Sequence, residues 1–214
     1  MPKLFAFVAL VLVAMILPPT LAAENNPGDA TGEKHALPAN LVAALAKGGH
    51  VIYFRHAATD HKTHDVDRKN LENCATQRNL SALGRRQAAG IGKVFRKLGI
   101  PVGKVVSSPY CRCADTAKLA FGRVERSRQL IFALDRGRGE TKRLALALRR
   151  MITAAPEAGT NTIIVGHTVN LREAANIWPK PEGVAVIFRP SGDGTISYVA
   201  TVHPSSWPKT ANER

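Results

Sequence analysis

Arg55 and His56 close the run Val51-Ile52-Tyr53-Phe54, Arg112 follows Val105-Val106-Ser107-Ser108, and His167 follows Thr162-Ile163-Ile164-Val165-Gly166. The apolar runs have high β propensity and read as buried strands. A strand that stops on a cation or an imidazole delivers that side chain to the mouth of a sheet, where open α/β folds bind ligands. Two histidines and two arginines gathered there suit a phosphoryl group. The planar guanidinium forks of Arg55 and Arg112 match its oxygens in pairs, which a lysine does less well. A neutral imidazole carries a lone pair that attacks phosphorus and forms a phosphohistidine. His167 is suited to hold the transferring phosphoryl and to stabilise its charge. One such residue at a strand end is usually structural; four in three ordered motifs make a site the better reading.

Phosphate ester cleavage also needs a proton for the departing oxygen. Asp135, just after Leu130-Ile131-Phe132-Ala133-Leu134, is the first choice for the acid, and Glu182 is the second. Thr59, Lys62 and Arg78 are further phosphate contacts to consider, and Asp60 and Asp65 belong to the same polar loop near the mouth. His61 and His64 have metal-like spacing but lack companion ligands, so no metal site is expected.

These side chains need a frame. A short helix over 41–47 stops at Gly48-Gly49, directly before the first strand. Residues 59–78 form a long polar loop, of a length that is often functional. Ser81 caps a helix that runs to Leu98, with Leu83, Ala88, Ile91, Val94, Phe95 and Leu98 on its apolar side. A second strand over 104–107 enters a helix near Pro109 that carries Arg112 and Thr116. A strand is expected over 130–134, a basic amphipathic helix over 141–152 and another helix over 170–177. Residues 184–188 and 195–202 read as a hairpin turned by Ser191-Gly192-Asp193-Gly194. The alternation predicts an α/β fold with a mostly parallel central sheet and a C-terminal hairpin at one edge.

The chain start has a different character. Lys3, an uncharged stretch from Leu4 to Leu17 and the small residues Ala22-Ala23 have the layout of a secretory signal peptide. The apolar stretch is short for a lasting membrane span, which takes about 20 residues. The expected organisation is a signal peptide over 1–23, a flexible leader over 24–38, one domain over 39–205 and a tail over 206–214, in the periplasm or outside the cell. Export makes a disulfide natural. Cys74 pairs with either Cys111 or Cys113, and the first choice would tie two site loops together. The formal charge of +14 favours anionic partners. The basic residues are dispersed and no nucleic-acid motif is present, so a small phosphorylated or anionic substrate is expected, not nucleic acid.

Arg55-His56-Ala57, the segment from Ser107 to Arg112 with Thr116-Ala117 behind it, and Val165-Gly166-His167 resemble the signature of the histidine phosphatase superfamily. That family includes the cofactor-dependent phosphoglycerate mutases and acid phosphatases. The stretch from Cys74 to Ser81, with Gly84-Arg85, is similar to the segment before the family's first helix. The resemblance covers residues 40–203. It implies a three-layer α/β/α sandwich of the phosphoglycerate mutase kind and no metal or other cofactor. His56 becomes the phosphorylated nucleophile, Arg55 and Arg112 the phosphate ligands, and His167 the second pocket histidine. The chain departs from the pattern in having Arg-His-Ala for the usual Arg-His-Gly, and in lacking a clear match to the mutases' glutamate acid and substrate-reading insertions. The expectation is an exported phosphatase for small or envelope-associated phosphate monoesters. The alternatives are a non-catalytic phosphate-binding protein with the same pocket, and a phosphohistidine phosphatase.

Overall fold

A computed structural model describes residues 37–134 and 137–208. The stretch expected to be a signal peptide, nearly all of the expected leader and Asp135 therefore lie outside the described residues. Six strands form one sheet in the order β3-β2-β4-β1-β5-β6. Strand β1 (Val51–Arg55) pairs in parallel with β4 (Asn161–Gly166), which pairs in parallel with β2 (Val102–Ser107), and β2 with the two-residue β3 (Glu125–Arg126). On the other side of β1, β5 (Ala185–Pro190) and β6 (Ile196–Val202) form the antiparallel hairpin that the sequence predicts.

Period-two alternation along β1 splits the core between the sheet faces. Ile52 and Phe54 join Val105, Ile163 and Ile187 against α1 (Ala39–Ala46), α2 (Ala82–Lys97) and α3 (Cys111–Phe121). Val51 and Tyr53 join Ile164, Val186 and Phe188 on the opposite face, against α4 (Arg138–Thr153) and α5 (Thr168–Ala175). The result is the expected three-layer α/β/α sandwich. Trp207, assigned from sequence to the tail, is buried and packs against Phe54 and Phe95, so the domain extends that far. No described helix is long and apolar enough to cross a membrane.

The strand expected over 130–134 is absent. A 3-10 turn occupies Arg128–Leu130, and the short β3 lies earlier, at Glu125–Arg126. The apolar residues are nevertheless buried: Leu130, Ile131 and Ala133 all face the interior. Their backbone is satisfied by a side chain instead of a ladder. Asn170 of α5 donates to the Ile131 carbonyl at 2.8 Å and accepts from the Ala133 N–H at 3.2 Å. An apolar run can thus be buried without being a strand once one amide supplies the missing partners.

The 59–78 loop is anchored at several points. Ser81 caps α2 by accepting from Gly84 N–H at 3.1 Å, and its own N–H donates to the Ala58 carbonyl at 3.0 Å. A Cβ on Gly84 would lie 1.9 Å from that carbonyl, so the helix start can approach the residues after His56 only with glycine there. A disulfide joins Cys74 to Cys111 across 37 positions. A cross-link of that span stabilises by about 4 kcal/mol in the chain-entropy picture. Cys113 stays free and buried. Two helical positions apart, Cys111 and Cys113 point to nearly opposite sides of α3: Cys111 toward the loop, Cys113 into the core beneath the sheet.

Candidate active site

His56 leaves the end of β1 into a fully enclosed position. Its Nδ1 lies 3.0 Å from the carbonyl oxygen of Ala57. A carbonyl only accepts, so Nδ1 must carry the proton and donate, which leaves the lone pair on Nε2. The backbone there is fixed as well. His56 N–H donates to Gly166 O at 3.1 Å, and Ala57 N–H donates to Thr116 Oγ1 at 3.1 Å. Ala57 packs with Leu80 and Ala88. Its backbone is not left-handed, Asn176 being the only non-glycine of that kind among the described residues, so alanine sits without strain where the signature that the sequence resembles has glycine.

His167 follows β4 directly and is the N-cap of α5, so a helix does begin directly behind it. Its ring meets that of His56 edge-on at 5.7 Å. Nε2 shares a hydrogen bond of 2.9 Å with Ser108 Oγ at the end of β2. Tyr53 Oη donates to the His167 carbonyl at 2.8 Å, reaching it beneath Gly166, where a Cβ would come within 2.3 Å of that hydroxyl. Tyr110 and Phe132 wall the imidazole at ring distances of 5.2 and 5.1 Å. Gly166 and Tyr53 thus fix His167 at the end of the strand that neighbours the one leading into His56.

Burial is the largest influence on both histidines, and it pushes both pKa values well below the ordinary 6.5. Arg112 adds repulsion to each, with smaller contributions from Arg55 and Arg78. Both rings are therefore neutral at neutral pH, the form in which His56 can attack. The Cys113 thiol beside His167, with Sγ 3.7 Å from Nε2, is pushed up to about 12 by burial and stays an inert packing group.

Two guanidinium groups flank the histidines. Arg112 is buried, its Cζ 4.5 Å above the Tyr110 ring, and NH1 donates to Asp65 Oδ1 at 2.9 Å. Arg55 pairs through NH2 with Glu182 Oε1 at 3.3 Å. In both residues the Nε–H is buried without a partner. Unpaired buried donors are costly, so one on each of two arginines that repel each other marks a place suited to an anion.

Of the six residues that sequence places in the site, Arg55, His56, Arg112, His167 and Glu182 come together. Asp135 lies outside the described residues, although Phe132 and Ala133 just before it are pinned to the pocket wall. Glu182 is fully occupied as an acceptor. Its oxygens take hydrogen bonds from Thr59 N–H and Thr59 Oγ1, both at 2.9 Å, and lie 3.3 Å from His61 Nε2 and 3.8 Å from Arg78 NH2. Sequence reasoning missed Ser108, Tyr53 and Thr116 as supports; it offered Arg78 as a phosphate contact and Asp65 as a loop residue near the mouth, without their pairing to Glu182 and Arg112. The adjacent serines at the end of β2 were the one available hint. Outside the pocket, a cleft of about 680 Å³ runs past Arg55, His61, Gln87, Lys180 and Glu182.

A family model described as histidine phosphatase superfamily (branch 1) matches residues 51–132, the stretch that carries Arg55, His56 and Arg112. No curated protein sequence matches as a relative. Among solved structures, a phosphoserine phosphatase mutant from Entamoeba histolytica bound to phosphoserine is 12% identical, with a TM-score of 0.53 over 74% of this chain and 99% of that one. A putative alpha-ribazole-5'-P phosphatase from Escherichia coli K-12 is 12% identical, with a TM-score of 0.52 over 73% and 98%. The protein histidine phosphatase SixA complexed with tungstate is 12% identical, with a TM-score of 0.51 over 72% and 97%. At such identities the likeness is one of fold.

Proposed function

We propose that this chain, which the histidine phosphatase superfamily model matches over residues 51–132, is an exported phosphatase of that family hydrolysing small phosphate monoesters through a phosphohistidine on His56. The observation that carries the reading is the Nδ1–H of His56 held on the Ala57 carbonyl at 3.0 Å. It fixes the tautomer whose Nε2 lone pair attacks, in a pocket whose two arginines each keep an unpaired donor.

In the proposed sequence Arg55 and Arg112 bind the non-bridging oxygens of the substrate dianion. Nε2 of His56 bonds to phosphorus as the bond to the ester oxygen breaks, and that oxygen leaves as an alcohol after taking a proton. Water then attacks the phosphohistidine, the P–N bond breaks, and inorganic phosphate departs with His56 neutral again. Catalysis in such a transfer is mainly positioning and charge stabilisation. His167, neutral in the free site, gains a proton affinity once a dianion sits beside it, and can then donate to a phosphoryl oxygen.

We assign the proton donor to Asp135. Glu182 already accepts two hydrogen bonds from Thr59 and braces Arg55, whereas the segment leading into Asp135 walls His167. The test compares two leaving groups. With an alkyl phosphate, Asp135→Asn is expected to lose about 10²- to 10⁴-fold in kcat. With p-nitrophenyl phosphate, whose phenolate leaves without help, the loss should stay under about tenfold. Equal effects on the two substrates would remove Asp135 from the acid role.

The size of the outer cleft suits a small molecule. Export is supported by the basic, apolar and small-residue layout of residues 1–23 and by the Cys74–Cys111 bridge, which persists best in an oxidising compartment. An envelope-associated substrate would fit that location.

A further inference from the structure

Each clamp arginine is paired with its own internal carboxylate, Glu182 for Arg55 and Asp65 for Arg112. The second pair is the tighter and more informative. Both Asp65 oxygens lie on one nitrogen, NH1 of Arg112, at 2.9 and 3.2 Å. The Arg78 carbonyl accepts from the same NH1 at 3.4 Å. Among the described residues all hydrogen bonds of the guanidinium therefore fall on NH1, and the buried Nε–H is left for an anion. Had the carboxylate taken the fork through Nε it would compete with phosphate; side-on, it orients the fork instead.

Asp65 is itself held firmly. Its Oδ1 accepts from Arg78 N–H at 2.9 Å, and Val66 N–H donates to Thr76 O at 2.8 Å. Gln77 ties the same loop to α3, accepting from Cys111 N–H at 2.9 Å while donating to Leu71 O at 2.9 Å. The Cys74–Cys111 disulfide fixes the loop one residue before Arg112. Side chain, loop and covalent link converge on the first turn of α3. Only Arg112 there has chemistry that would require such precision.

We propose that Asp65 is a positioning residue that locks the NH1 end of Arg112, so that its Nε side is presented ready for a phosphoryl oxygen. The proposal rests on the phosphatase reading above. In rate terms, a catalytic group displaced by about 1 Å costs on the order of 10²-fold.

The test measures kcat/KM for p-nitrophenyl phosphate and calorimetric binding of inorganic phosphate, with the disulfide intact. Asp65→Ala should lower kcat/KM by about 10²-fold and weaken phosphate binding, while Asp65→Asn, which keeps an acceptor oxygen of the same reach, should stay within about tenfold of the parent. Asp65→Ser, too short to reach Arg112, serves if the alanine variant does not fold. In an Arg112→Ala background Asp65→Ala should cost almost nothing more, a coupling that a general loss of stability would not produce. Glu72→Gln, which breaks the exposed pair with Arg126 in the same loop, should change neither quantity. The proposal is overturned if Asp65→Ala matches or exceeds the parent in either measurement, or costs as much without Arg112 as with it. A parent protein that neither binds phosphate nor turns over overturns the functional reading and this proposal together; a competent parent with an unaffected variant overturns this proposal alone.

Discussion

Replacing His56 by asparagine is expected to lower kcat for p-nitrophenyl phosphate by about 10⁴-fold or more, because the reaction loses its nucleophile. Asparagine is the informative substitution. Its side-chain N–H₂ can still donate to the Ala57 carbonyl, so the turn that the imidazole holds at 3.0 Å is kept while the attacking Nε2 is removed. Phosphate binding should survive, because Arg55 and Arg112 remain with their unpaired Nε donors. Lost turnover with retained binding is the outcome the site predicts. A variant that keeps more than about a tenth of the parent rate would place the nucleophile elsewhere. The same pair of measurements addresses the non-catalytic reading, under which the parent itself would bind phosphate without turning anything over.

Stability is expected to fall steeply as pH drops below about 6.5. The two pocket histidines are held neutral by burial first and by the neighbouring arginines second, so each binds its proton in the folded state only well below its ordinary value of 6.5. In the unfolded chain both titrate near 6.5. Between 6.5 and the depressed folded values the unfolded state therefore holds more protons, and stability rises with pH. Their contribution is intact above 6.5 and is lost as pH falls through that window toward the folded values. Each buried histidine adds a slope of about 1.4 kcal/mol per pH unit there. His50, also lowered, chiefly by burial, acts in the same direction at the other end of β1. Urea unfolding from pH 8 to pH 5 checks this. The slope should shrink in His56→Asn and again when His167→Asn is added, and inorganic phosphate should flatten it by stabilising the folded, protonated pocket. An unchanged slope in the double variant would mean that these two rings are not the buried neutral groups described.

The parts of the site that were legible in the sequence are those written into regular elements. A short β run that ends on Arg55-His56 or His167 displays its chemistry because strand direction decides where the next side chain goes. Arg112 was legible for a similar reason, a strand followed at once by a helix start. Asp65 and Arg78 carry no such signal. They lie in an irregular polar loop, and only tertiary contacts with α3 distinguish them from the solvated charges around them. The disulfide choice was open for a related reason. Cys111 and Cys113 are close in sequence, and it is the rotation of α3, set by burial of its other face, that turns Cys111 toward Cys74. The run over 130–134 was misread because apolar character reports burial and not hydrogen bonding; the Asn170 amide supplied what a strand neighbour would have.

The central claim is covalent: phosphorus is bonded for a time to Nε2 of His56. The direct measurement is to mix the parent protein with substrate, quench in milliseconds at high pH, and map the phosphoryl group by peptide mass spectrometry. The account predicts a base-stable, acid-labile adduct on the peptide containing His56, present during turnover and absent from His56→Asn. Active enzyme that shows no adduct under these conditions, or an adduct on another residue, would contradict it.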